Sequence, residues 1–141
     1  MFSLAHIADI YNPLLLVISI ALGIYWGIKF KSARGLMLVI SAVVVYSLMF
    51  LDLNFKIWPS FGLDYSTHTA TALAMCFFIG ATLKKVWINI LLLASLLAYG
   101  ELMVILNYHS WLDIFSTGIV VVLVLYFIYF FLRNSRFLKS K

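Results

Sequence analysis

The sequence predicts an all-α fold: a polytopic membrane helix bundle of about five transmembrane helices, forming one domain over residues 1–141. Composition is the first reason. Hydrophobic residues make up 65% of the chain and charged residues only 11%, where a soluble domain carries about 25% charged residues. The second is the recurrence of apolar runs near the roughly 20-residue length that crosses a bilayer core, separated by short polar breaks. The third is the placement of the basic residues, nearly all at the ends of those runs. Almost every residue is needed for spans and short loops, which leaves no room for a separate soluble domain.

Span 1 is expected over 13–28, with Asn12 as N-cap and Pro13 at the first helical position. Residues 2–12 have apolar side chains at helical spacing and fit either an interfacial helix or an extension of span 1. Span 2 is expected over 35–51, span 3 over 66–83, span 4 over 86–106 and span 5 over 112–132. There is no internal repeat, no low-complexity tract and no positively charged segment of the kind that opens a signal peptide. The lone Cys76 lies in an apolar run and has no partner for an intrachain disulfide.

With five spans, Lys29, Lys31, Arg34, Lys84, Lys85, Arg133, Arg136, Lys139 and Lys141 fall on one side and only Lys56 on the other. The positive-inside rule then puts the C-terminus in the cytoplasm and the N-terminus outside, as for a protein of a bacterial inner membrane. The same topology accounts for the net charge of +5 without nucleic acid. It also puts His68 and His109 at the outer ends of their spans.

His109 and Asp113 lie four residues apart in Asn107-Tyr108-His109-Ser110-Trp111-Leu112-Asp113, so a helix would place both on one face, with Thr117 one turn further. An ionisable pair at a membrane helix end marks a functional site by default. His68 sits in Asp64-Tyr65-Ser66-Thr67-His68-Thr69, at the opening of span 3. There Ser66, Thr67 and the first backbone amides would form an anion site, with Lys56 as counter-charge. Two histidines and a carboxylate suffice for nucleophile, orienter and general acid. Bland alternatives stand beside these. His6 reads as an interfacial anchor, Ser66 and Thr67 as ordinary helix caps, the His–Asp pair as a structural hydrogen bond, and Asp52 and Asp64 as loop or capping residues. Glu101, near the outer end of span 4, is an intramembrane acid that could pair with Lys56 or a histidine. No carboxylate cluster for a two-metal site is visible, and neither metal nor cofactor is implied.

These residues carry a resemblance. Ser66-Thr67-His68-Thr69 resembles the S-G-H motif of the type-2 phosphatidic acid phosphatase superfamily, with Thr67 in place of the glycine, and His109-Ser110-Trp111-Leu112-Asp113 resembles its H-x-x-x-D motif. The similarity covers roughly residues 36–132. It implies that His109 attacks phosphorus to form a phosphohistidine, that Asp113 orients it, and that His68 protonates the leaving group. The family's K-x6-R-P motif is absent, with only Lys56 near its place, and its S-R pair falls at Leu102 and Met103. A site so poor in cations resembles the sphingomyelin-synthase branch, which transfers singly charged diester head groups, and Thr69 matches that branch too. The expectation is an integral membrane lipid phosphatase or phosphotransferase. Its partner would be a membrane lipid, either a phospholipid or a polyprenyl phosphate or pyrophosphate, with homo-oligomerisation left open. The alternative is a non-catalytic membrane subunit or lipid-binding bundle that retains a relic site. A transporter subunit using Glu101, His109 and Asp113 is disfavoured by the lack of broken-helix symmetry between halves.

Overall fold

The computed structural model describes residues 4–30 and 34–134, and within them the chain is all-helical. Its α-helices are α1 (Leu4–Phe30), α2 (Arg34–Phe55), α3 (Thr67–Leu83), α4 (Val86–Ile105) and α5 (Trp111–Asn134). Four of these, α1, α2, α4 and α5, are long and apolar enough to cross a membrane, which points to an integral membrane protein. The remaining helix, α3, has 17 residues, about 26 Å of rise, and is the centre of the bundle.

Sequence explains why α3 is central. It is apolar all round, as a buried helix should be. Its Ala70, Ala72 and Ala74 keep its surface narrow, so neighbouring helices can approach closely. Each of the other helices packs against α3, and they close a ring around it in the order α1, α2, α5, α4. Cross-contacts fix the directions. Asn12 of α1 reaches the His68 carbonyl at the start of α3, and Gly23 lies beside both Gly35 of α2 and Phe78 of α3. Gly80 meets Asn89 of α4, and Gly118 of α5 meets Leu73. Helices α1, α3 and α5 therefore run one way, α2 and α4 the other. Lys29, Lys84 and Lys85 share one end of the bundle, and both His68 and His109 lie at the opposite end. Lys31, Arg136, Lys139 and Lys141 lie outside the described residues.

The first span differs from expectation. Neither an N-cap at Asn12 nor a separate interfacial helix forms; α1 runs unbroken through Pro13 for 27 residues. Proline lacks an amide hydrogen, so the Asp9 carbonyl loses its helical donor at that turn. Tertiary contacts on both sides of the break hold the helix together. Ala8 and Leu15 are buried on one face. Tyr11 stacks on Tyr99 at 4.2 Å between ring centroids and shares a hydrogen bond with Ser95. Asn12, instead of capping, donates its side-chain amide to the His68 carbonyl at 3.2 Å.

Candidate functional site at the histidine end of the bundle

Two local motifs place His109. Helix α4 ends in a Schellman turn: the Asn107 amide donates to the Val104 carbonyl and the Tyr108 amide to the Met103 carbonyl, both at 3.0 Å. Asn107 takes the left-handed conformation this turn requires, with φ of 56°. Helix α5 then starts with a capping box. Ser110 is the N-cap, its hydroxyl accepting from the Asp113 amide at 3.2 Å. Asp113 reaches back to accept from the Ser110 amide at 2.7 Å. His109 thus sits in the linker between a helix stop and a helix start. The expected single helical stripe of His109, Asp113 and Thr117 does not form, because α5 begins at Trp111. Asp113 and Thr117 do share a face of α5.

That face holds the long loop between α2 and α3. Asp113 accepts a hydrogen bond from the Asp64 amide at 2.7 Å, and Thr117 accepts one from the Ser66 amide at 3.1 Å. One turn away, Ser116 accepts from the Trp58 indole nitrogen at 3.0 Å. Trp58 is buried edge-on against Tyr65, and its own amide donates to the buried carboxylate of Asp52 at 2.7 Å. The Tyr65 hydroxyl donates to the Val45 carbonyl of α2. With its backbone pinned at Asp64 and Ser66, the loop presents the Asp64 side chain beside His109.

The two histidine rings lie 6.4 Å apart, centroid to centroid, and tilted by 56°. They neither stack nor hydrogen-bond to each other. His109 is only 10% exposed at its side chain, and its Nδ1 is 3.5 Å from Oδ2 of Asp64. At that distance the contact is an ion-pair approach rather than a formed hydrogen bond, and Nδ1 is a buried polar atom with no hydrogen-bond partner. Burial holds the His109 imidazole below its ordinary value of 6.5; the Asp64 and then the Asp113 carboxylate oppose that lowering, and His68 adds to it. That lowering favours the neutral ring, which keeps a lone pair on one nitrogen.

The other expected site residues fall in two groups. Ser66 is fully buried and its hydroxyl is occupied in capping α3, accepting from the Thr69 amide at 3.3 Å and donating to the Thr69 hydroxyl at 2.8 Å. Thr67 is half-buried, with its amide donating to the Tyr65 carbonyl. The helix start at α3 is thus largely satisfied by its own cap. Lys56 is exposed just past the end of α2, with φ of 49°. Glu101 is exposed on α4. Among the described residues neither forms an ion pair, with the other or with a histidine. No group of three His, Cys, Asp or Glu side chains among those residues is placed to hold a metal ion.

An apolar groove of about 360 Å³ descends from this end between α3, α4 and α5. Thr69 and Trp111, close in sequence to His68 and His109, line it together with Leu93, Val122 and Leu123. The groove exists because α4 is the most lightly packed helix, with only Tyr99, Gly100 and Met103 buried.

No protein family, curated protein or solved structure matches the chain.

Asp64 is the site residue that periodicity misses. Its sequence signal is weak: a carboxylate two residues before an N-cap serine. The capping box Ser110-x-x-Asp113, by contrast, is a legible helix start, and it competes directly with the assignment of Asp113 as the partner of His109.

Proposed function

We propose that the chain is a membrane enzyme of phosphate-ester chemistry, a lipid phosphatase or phosphotransferase working through a phosphohistidine on His109. The observation that carries this is the convergence of two histidines, His109 from the α4–α5 linker and His68 from the start of α3, ring centroid to ring centroid at 6.4 Å, one largely enclosed at its side chain and the other exposed. Rings this close can both reach one phosphate ester lying across them, where attack needs an approach of about 3–3.5 Å.

In the first step the His109 lone pair forms a bond to phosphorus while the bond to the leaving oxygen breaks, and His68 gives that oxygen a proton. In the second, water or an acceptor hydroxyl attacks the phosphohistidine, His68 takes its proton, and His109 is released as neutral imidazole. The apolar groove, which Thr69 and Trp111 line beside leucines and valines, suits the hydrocarbon chain of a substrate whose ester lies toward the histidines. Among the described residues Lys56 is the one lysine or arginine at this end of the bundle, so a singly charged diester or a pyrophosphate-linked lipid suits the site better than a free phosphomonoester. The segregation of basic residues supports a site on the non-cytoplasmic face.

Turnover tests this. Purified protein is offered phosphatidic acid, a phospholipid diester and a polyprenyl pyrophosphate, with His109→Ala and His68→Ala alongside. The proposal expects turnover of at least one lipid, abolished in His109→Ala and reduced by a factor on the order of 10²–10⁴ in His68→Ala. Full activity in His109→Ala refutes it. A second reading, a non-catalytic bundle with a relic site, is favoured by the structural employment of Asp113 in the α5 cap. Specific lipid binding without turnover in the wild type would establish that reading instead.

A further inference from the structure

We propose that Asp64, rather than Asp113, is the carboxylate that positions the imidazole of His109. Both carboxylate oxygens of Asp113 are already engaged. Its Oδ1 accepts from the Asp64 amide, and its Oδ2 accepts from both the amide and the hydroxyl of Ser110, each at 2.7 Å. Those bonds cap α5 and hold the α2–α3 loop, and they fix the carboxylate away from any helical register with His109. Asp64 has its backbone held while its side chain stays 70% exposed, and its Oδ2 is the carboxylate oxygen that approaches His109 Nδ1, at 3.5 Å.

Nδ1 itself is the second observation. It is a buried polar atom without a hydrogen-bond partner, on a ring that is otherwise enclosed. A small side-chain rotation of exposed Asp64 closes the 3.5 Å gap to hydrogen-bonding distance and satisfies it. The result is an Nδ1–H donated to Asp64 and a lone pair on Nε2, the tautomer a nucleophilic imidazole needs at its far nitrogen. Asp113 acts through Asp64 by holding its amide. The titratable groups facing His109 are Asp64 from the α2–α3 loop, Asp113 from α5 and His68 from α3.

The catalytic consequence rests on the proposed role of His109, but the test does not. Full-length protein with ¹⁵N-labelled histidine, in detergent micelles, is titrated by NMR, with the His109 resonances assigned by their loss in His109→Gln. The wild type is expected to show His109 as the Nδ1–H tautomer. Asp64→Ala and Asp64→Asn are both expected to fold, since the amide of residue 64 keeps its bond to Asp113. Asp64→Ala should lower the His109 midpoint by on the order of half to one pH unit, the effect of removing one opposite charge that is itself largely exposed to water, and should erase the tautomer preference. Asp64→Asn should lower the midpoint similarly while keeping the tautomer through its side-chain oxygen. An unchanged midpoint and tautomer in Asp64→Ala overturns the proposal. Because no substrate is present, failure of the phosphohistidine mechanism would leave this result standing, and failure here would leave the mechanism to be judged on turnover.

Discussion

Removing the Asp113 carboxylate should damage the fold before it damages the chemistry. Asp113 is buried and accepts three hydrogen bonds at 2.7 Å, from the Asp64 amide, the Ser110 amide and the Ser110 hydroxyl. Hydrogen bonds to a charged acceptor contribute about 1.5–3 kcal/mol each, and loss of a cap costs about 1 kcal/mol. The donors sit at the rim of the bundle, where water can replace part of what is lost, so the sum must be discounted. Asp113→Ala is expected to cost about 2–4 kcal/mol, a factor of roughly 30 to 10³ in the folding equilibrium. Asp113→Asn keeps one acceptor oxygen, so it should fall near half of that. Reversible unfolding of the purified protein in mixed micelles, followed by tryptophan fluorescence, reads this directly, because Trp58 and Trp111 both lie beside the affected contacts. A wild-type unfolding midpoint for Asp113→Ala, combined with complete loss of turnover, would refute the structural role and return Asp113 to direct service of His109.

Other consequences follow from single contacts. A Cβ at residue 100 would stand 3.2 and 3.3 Å from the Trp111 ring, which is itself stacked on Phe115, so Gly100→Ala should part α4 from α5 at a cost of about 1–3 kcal/mol; an unchanged or raised melting temperature contradicts that packing. Pro13→Ala restores the amide that the Asp9 carbonyl lacks and should stabilise α1 by about 1–3 kcal/mol, and a lowered midpoint would show that Pro13 is required rather than tolerated. Burial lowers the folded-state value of His109 below its ordinary 6.5, so the unfolded chain binds that proton more readily. Stability should be level in this respect above about pH 6.5 and fall as pH drops through and below it; His109→Gln should flatten that slope in denaturation series, and an identical slope would discount the lowering.

The helices were legible because hydropathy and length suffice to locate membrane-length segments, and α3 to α5 start or end within two residues of the expected positions. Pro13 was misleading because a proline at a plausible N1 position looks the same in sequence as a proline carried inside a helix by contacts such as Tyr11 on Tyr99. The His–Asp spacing misled for a related reason. Helical period places residues four apart on one face only where a helix exists, and here Asn107 ends one helix and Ser110 begins the next. The partner of His109 is set by a tertiary tie, the Asp64 amide on Asp113, between residues 49 apart in sequence. No local pattern announces such a tie. The approach of His68 to His109 was anticipated from the shared end of two spans, but its distance and tilt come from the packing of α3 against α5.

The proposed chemistry requires that His109 become covalently phosphorylated. The most direct measurement is mass spectrometry of full-length protein quenched at alkaline pH after brief incubation with phosphatidic acid, a phospholipid diester or a polyprenyl pyrophosphate. A phosphohistidine intermediate predicts an acid-labile phosphoryl or alkyl-phosphoryl adduct on the peptide containing His109, absent in His109→Ala and accumulating in His68→Ala supplied with a substrate whose leaving group needs no proton. Lipid turnover with no adduct at His109, or an adduct that persists in His109→Ala, would contradict it.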